Sequence, residues 1–227
     1  MNERDKILSR VREALETAAP FPGAQGSTPP PAPANTNSTA RQWLPGVGES
    51  FEEQVALFAR NVFALKADYQ RLANREELNS ALARISGAEN WRRIASHHGE
   101  LTEPVCSALN LPVCLTDETY DVHELETCDA GISECDALIA QTGSVLVTNR
   151  SAGGRALSVL PPHHVVLARR EQLVADLPAA FELLKRKYAA NYPSMISFIT
   201  GPSRTGDIER LLVLGAHGPR KLTILCL

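Results

Sequence analysis

Between Pro20 and Gly48 the chain carries seven prolines and four glycines in 29 residues, with Pro29, Pro30, Pro31 and Pro33 nearly contiguous and Arg41 as the one charge. Such a segment cannot bury enough apolar area to offset its backbone entropy, so an extended or disordered tether is expected there. The chain is thereby divided into an N-terminal piece (1–19), a linker (20–48) and a body (49–227) large enough to hold a full core. In the first piece Ile7, Leu8, Val11, Leu15 and Ala18 recur at helical spacing behind Asn2 as a cap, which predicts an amphipathic helix of about 17 residues. Packing back on the body is its expected role, with docking onto a partner as the alternative.

The body opens with a capping box, Ser50 and Glu53, followed by Phe51, Val55, Phe58, Val62, Leu65 and Tyr69 at spacings of four and three. A second helix is expected from Asn74 and Glu77 through Leu78, Leu82 and Ile85, closed by Gly87, so that 49–87 reads as helical cover. From Trp91 onward the pattern changes to short apolar runs bounded by turn residues. Val113–Leu115, Ala137–Ala140, Ser144–Thr148 and His164–Ala168 are candidate strands. After the last of these come a helix carrying Leu177, Phe181, Leu184 and Tyr188, a strand at Met195–Thr200, a helix beginning near Thr205 and a strand at Leu222–Leu227. Strands alternating with helices predict an α/β fold: an open, mostly parallel sheet with right-handed crossovers and helices on both faces.

Composition narrows the function. With 44% hydrophobic residues, 22% charged and a net charge of −3, the chain is ordinary globular material. No stretch approaches a membrane span, and Met1 to Arg12 is too charged for a secretory signal, so a cytoplasmic protein is expected. Few aromatics (5%) and a slightly acidic balance argue against nucleic acid as a partner. Cys106, Cys114, Cys128, Cys135 and Cys226 form no C-x-x-C pair and read as reduced thiols, and neither they nor the His97–His98 and His163–His164 pairs make a metal clip. A G-x-G-x-x-G run is absent, so no dinucleotide site and no cofactor is expected. Net charge is +1 over 1–48, −10 over 49–149 and +6 over 150–227, and the basic last part suits an anionic small ligand.

Three loops carry the candidate chemistry. In Ile199-Thr200-Gly201-Pro202-Ser203-Arg204-Thr205-Gly206-Asp207-Ile208-Glu209, a strand is expected to run straight into a helix. Gly201 would let the backbone approach a ligand, Ser203 or Thr205 would cap, and Arg204 would offer a planar fork to a carboxylate or phosphate. Leu214-Gly215-Ala216-His217-Gly218-Pro219 places His217 and Gly218 in the turn before the last strand, His217 as an acid, base or ligand contact. In the third, Gln141, Thr142, Gly143 and Ser144 would present amide, hydroxyl and backbone groups, with Arg150 or Arg155 as counter-charge; a simple hairpin turn is the alternative. Asp136, Asp207 and His217 are the candidate acids and bases.

Taken together, Ile139–Ser144, Gly201–Glu209 and Gly215–Pro219 resemble the LUD-domain family over about residue 50 to the end. The resemblance implies a fold like that of ribose-phosphate isomerase, glucosamine-phosphate deaminase and CoA transferases. It also implies a part in oxidising L-lactate to pyruvate beside iron–sulfur lactate utilization proteins, as the component without cysteine clusters. The family commonly has Glu-Thr-Gly-Thr where this chain has Gln141-Thr142-Gly143-Ser144, and Ala where it has Gly206. An amide at Gln141 cannot form the acyl anhydride that related CoA transferases make on glutamate. A stand-alone isomerase or ligase acting on a phosphorylated or CoA-bearing substrate, and a non-catalytic assembly module, remain as alternatives.

Overall fold

Ser50 starts the body as the sequence predicts. Its hydroxyl accepts from Glu53 N at 3.3 Å, its own N–H donates to the Glu53 carboxylate at 3.0 Å, and helix α2 runs Phe51–Ala64. The computed structural model describes residues 3–16, 46–208, 211–215 and 217–227; all but the last three residues of the tether expected over 20–48, and the side chains of 206–214, lie outside the described residues. Two compact units are present, Met1–Leu44 and Pro45–Leu227. In the first, helix α1 spans Glu3–Glu16.

The second unit is α/β. Strands β1 (Asp68–Arg71), β2 (Ile94–Ser96), β3 (Val113–Leu115), β4 (Ala130–Ser133), β7 (His163–Ala168) and β12 (Lys221–Cys226) form one wholly parallel sheet in the order β1-β12-β7-β4-β2-β3. Register is continuous across its middle, with Ala130 beside His163 and His163 beside Lys221. Helices α3 (Arg75–Glu89) and α4 (Thr102–Leu109) cover one face through Leu78, Leu82 and Val105 against Ile94, Ile132, Val165 and Leu167. The other face meets α2 through Phe58 and Val62 and, toward β3, Leu125 of the short helix α5 (Val122–Glu126). Strand β7 is therefore buried on both faces, which accounts for the unbroken apolar run at its residues 165–168.

A second, four-stranded sheet in the order β8-β5-β6-β9 packs over α2, built from β5 (Ala137–Ile139), β6 (Ser144–Thr148), β8 (Leu173–Val174) and β9 (Ile196–Ile199). Its far face is closed by α6 (Leu177–Tyr188) through Ala180, Leu184 and Tyr188. Pro178 sits in the first turn of α6, where no intrahelical bond is lost.

Several sequence expectations are corrected. Tyr69 does not extend α2: Leu65 caps that helix, Lys66 turns to φ +64°, and Tyr69 lies in β1, its ring edge-on to Phe58 at 5.1 Å. Helix α3 passes through Gly87 and ends at Asn90, a left-handed cap. Met195–Thr200 belongs to the second sheet, antiparallel to β6, and not to the parallel one. The helix expected near Thr205 is a β-hairpin of β10 (Arg204–Ile208) and β11 (Leu211–Leu214). β-Branched Thr205, Ile208 and Val213 favour extended backbone, and Gly206 would have cost a helix about 1 kcal/mol.

Phe58 lies fully buried in the layer between the sheets. Phe58→Ala is expected to lower unfolding free energy by about 3–5 kcal/mol, read from urea denaturation with an unchanged m-value.

Candidate functional site

In an open α/β sheet a ligand crevice is expected beyond the carboxyl ends of the strands, where the connections diverge. Here that position lies between β2 and β4, because β2 leads outward to β3 while β4 leads to the second sheet. The chain fills it with its own groups. Glu134, just after β4, accepts from Leu101 N at 2.8 Å and Thr102 N at 3.4 Å, so its carboxylate occupies the anion position at the start of α4. His97, just after β2, donates from Nδ1 to His98 O at 2.9 Å and accepts at Nε2 from Glu134 N at 3.1 Å. Gly153 (φ +59°) lies so close to His97 that a Cβ would stand 2.3 Å from the His97 Cβ, and Thr116 Oγ1 donates to Gly153 O.

Asp136 lies at this same end. Its side chain is wholly buried, Oδ1 accepting from Lys187 Nζ and from Tyr188 OH at 2.6 Å, and Oδ2 accepting from Ser151 Oγ at 2.6 Å. Burial alone would raise its pKa, but Lys187, Ser151 and Tyr188 outweigh that and hold it below the usual carboxylate value. Both oxygens are thus satisfied inside the protein, leaving Asp136 tied to structure and out of reach as an acid or base.

The three expected loops fall elsewhere. Gln141, Thr142, Gly143 and Ser144 form the hairpin turn between β5 and β6, with Gly143 at φ +67°. Asn61 of α2, a residue the apolar stripe gave no reason to single out, donates from Nδ2 to the carbonyls of Ala140 and Gln141, both at 2.9 Å. A Cβ on Gly143 would stand 2.8 Å from Asn61 Cβ, so only glycine fits. Ser144 Oγ donates to Thr142 Oγ1 at 2.7 Å and bonds Thr200 Oγ1 at 2.8 Å, which links this turn to the next. There Gly201 (φ +85°) presses on the end of α2, 3.0 Å separating a Cβ position from Leu65 O. Ser203 N donates to Pro219 O at 2.8 Å and Ser203 O accepts from Gly215 N at 2.9 Å, which brings in the His217 loop.

These turns therefore touch one another in sequence, but at the amino end of the sheet. His217 and Gly218 precede β12, whereas Asp136 follows β4. The strand before Gly201 belongs to the second sheet, so its loop does not leave a carboxyl end of the parallel sheet. Arg204 and Thr205 are paired with Leu214 and Val213 in the hairpin, so no helix dipole backs the Arg204 fork, and Arg204 is exposed. Of Asp207 only the backbone is described, within β10. Arg155 is remote from these turns in its bonding, donating from Nη2 to Ser194 O at 3.0 Å.

One cleft at the amino end, of about 640 Å³, is lined by Val159, Leu160 and Pro162, by Gly215, His217, Gly218 and Arg220, and by Glu126. Sequence reading did not mark Arg220, although it lies three residues past His217. Gly215, at φ +76°, leaves the space that the Arg220 stem fills: a Cβ there would stand 2.0 Å from Arg220 Cγ. Arg220 N donates to Pro162 O at 2.8 Å, fixing the base of the guanidinium arm against Pro162. The cleft offers one guanidinium, one imidazole and an apolar wall.

A second cleft, about 460 Å³, runs between α4 and β3 and is lined by His98, Glu103, Cys106 and Leu111 among others. His98 is gripped there by Glu118 at 2.9 Å and Glu103 at 2.8 Å, which raise its pKa to about 9. All five cysteines are free thiols in buried positions, and among the described residues no group of three His, Cys, Asp or Glu is arranged to hold a metal ion.

A family model described as the LUD domain matches residues 117–227. A protein of Deinococcus radiodurans is 31% identical over 151 residues, 66% of this chain and 68% of that one. A protein of Anoxybacillus flavithermus is 36% identical over 103 residues, 45% of this chain and 46% of that one. In fold, the chain matches a crystal structure of a DUF162 family protein from Deinococcus radiodurans with a TM-score of 0.61 at 22% identity, covering 79% of this chain and 99% of that one. The α/β architecture and these kinships place the chain in a defined class: it belongs to the LUD-domain family. Both sequence relatives bear the name lactate utilization protein C. The matched part of the chain spans about half the length of several curated relatives.

His98 and His164 should titrate far apart. The carboxylates beside His98 favour its charged form, while burial pushes His164, bonded through Nε2 to Ser133 Oγ at 2.8 Å, down to about 3. Imidazole nitrogen shifts in NMR at neutral pH should show His98 protonated and His164 neutral. Glu118→Gln should bring the His98 midpoint down, and a wild-type midpoint at the ordinary histidine value would refute the pairing.

Proposed function

We propose that this protein is a component of an L-lactate utilization system, acting beside iron–sulfur proteins that carry the electrons, and that it binds a small carboxylate in the cleft between Val159–Pro162 and Gly215–Arg220. The observation that carries the reading is one of position. Every residue lining that cleft lies within 117–227, the stretch that matches the LUD domain and that the chain shares with relatives named for lactate utilization. Chemistry supports the choice of ligand. A guanidinium offers a paired hydrogen-bond fork to a carboxylate, His217 adds a donor, and the apolar wall of Val159 and Leu160 suits a short hydrocarbon end.

In this reading Arg220 and His217 contact the ligand, with Gly218 beside them. Ser203, Gly201 and the Thr142–Ser144 turn hold the loop from behind, through the chain of bonds that ends at Asn61. Arg204 and Thr205 stand on the adjoining hairpin as an approach surface, while Asp136 and Arg155 serve the opposite end of the sheet. Electrons pass through the partners, not through this chain.

The purified chain alone should not reduce an artificial acceptor with lactate, whereas the chain combined with its iron–sulfur partners should. Activity of the chain by itself would overturn the assignment. Arg220→Ala should weaken lactate or pyruvate binding at least about ten-fold by calorimetry, equivalent to about 1.4 kcal/mol, and Arg204→Ala should change it less. Unchanged affinity in Arg220→Ala would remove the cleft from the proposal.

A further inference from the structure

Strand β9 ends the four-stranded sheet. It pairs with β6 along one side, from Thr148 beside Ile196 to Val145 beside Ile199, and among the described residues no strand pairs with the other side. An edge strand presents a row of unmet N–H and C=O groups, and proteins guard such edges with lysines, prolines, bulges or a covering element. Among the described residues β9 has no such guard. Its register with β6 is unbroken, and its four residues, Ile196, Ser197, Phe198 and Ile199, include no proline or charge. The uncharged run is longer than the strand: from Tyr188 to Ser203 there is no Asp, Glu, Lys, Arg or His, in a part of the chain otherwise rich in basic groups.

The side chains on the α6 side of this edge are apolar, Ile196 exposed and Phe198 partly buried. Phe198 lies on that side with Phe181 of α6, ring centroids 5.4 Å apart, and Ile196 points the same way one pleat along. Phe181 is 50% exposed and Ile196 37%. An edge with no described partner strand, flanked by the exposed Phe181 and the partly buried Phe198, suits an extended strand as its cover.

We propose that β9 is a homodimer interface, in which two copies pair β9 with β9 antiparallel about a two-fold axis normal to the sheet and so join their four-stranded sheets across the contact. The edge is complementary to itself. With the axis at Ser197, Ile196 of one copy stands opposite Phe198 of the other, and with the axis at Phe198 that ring meets its own copy. The first register sets apolar against apolar on the α6 side, the second does so at Phe198 and sets Ile196 against Thr200, and in neither do like charges meet because the strand has none. The helix beside the edge agrees: Glu182 and Lys185 lie one turn apart on α6, paired at 2.7 Å next to Phe181. A two-fold axis runs the two helices antiparallel, so that the acid of each can face the base of the other. A strongly acidic or basic partner would find no matching field on this edge. The inference is independent of the lactate reading and of the cleft at Arg220.

Sedimentation of the full chain across the micromolar range should reveal a species of twice the 24.6 kDa chain mass. Ile196→Lys on the strand, and separately Phe181→Glu on the helix surface, should each raise the dimer dissociation constant at least about ten-fold, with circular dichroism unchanged. Should Ile196→Lys disturb folding, hydrogen exchange of the wild-type chain still decides the matter: the peptide spanning β9 should exchange more slowly as protein concentration rises. A monomer at every concentration, a dimer indifferent to both substitutions, or β9 exchange independent of concentration would each overturn self-pairing. Capture of a different protein's strand by a monomeric chain would overturn it as well.

Discussion

Three parallel strands in continuous register, with Ala130 beside His163 and His163 beside Lys221, decide at which end of the sheet every loop falls. The residues that follow β4 lie at one end and those that precede β12 at the other, whatever their side chains suggest. No local motif can override this, because the strands are buried on both faces and a slip of one residue would turn Val165, Val166, Leu167 and Ala168 to the wrong sides. Asp136 and His217, which looked alike as candidate acids and bases, are separated by that register, one sealed among Lys187, Tyr188 and Ser151 and the other on an open cleft.

What was legible in the sequence was what is local. The cap at Ser50, the cap at Asn74 and the first-turn proline of α6 involve groups within a few residues of one another, and each stands where the residue types demand. The strands β5, β6 and β7 were legible because their burial leaves continuous apolar runs. β4 was not, although it sits near the middle of the sheet. Its Ala130-Gly131-Ile132-Ser133 looks like a loop, and the reason is tertiary: a Cβ on Gly131 would stand 2.6 Å from Leu157 O, so the close crossing of a distant segment requires the residue that weakens the strand signal. β1, with Asp68 and Arg71 at its ends, is a strand only because Cys226 and its neighbours pair with it.

The candidate site was legible in parts but not as a whole. The glycines at 143, 201 and 215 stand in the loops that the sequence singles out, Gly201 among them read as a place of close backbone approach, and each has a positive φ. Their partners were beyond reach. Asn61 against the Ala140 and Gln141 carbonyls joins residues about eighty positions apart, and the Arg220 stem over Gly215 is a packing fact that no spacing rule contains. The hairpin in place of a helix after Gly201 has the same origin. The stretch had caps and acids for a helix, but its β-branched residues and Gly206 tilted the balance, and Ser203 bonded to Gly215 and Pro219 closes the two strands into one unit.

The filled crevice bears on where a ligand can bind. A free monocarboxylate entering beside α4 would have to displace Glu134 from Leu101 N, and Glu134 is held there by its own strand at an effective concentration of order millimolar or more. It would also have to part His97 from the Glu134 backbone and lift Gly153 off the His97 ring. An anion that binds with ordinary small-molecule affinity does not compete on those terms. The cleft of Arg220 sets no such condition, because its guanidinium is exposed and the loop behind it is already braced through Ser203, Thr200 and Ser144 to the turn that Asn61 holds. For the ligand proposed above, the backbone that carries the Arg220 arm is already fixed through Arg220 N on Pro162 O, which would spare the cost of ordering that backbone on binding. The same chain of bonds runs from the cleft toward the four-stranded sheet, because Thr200, which anchors Ser144, is the residue that immediately follows β9.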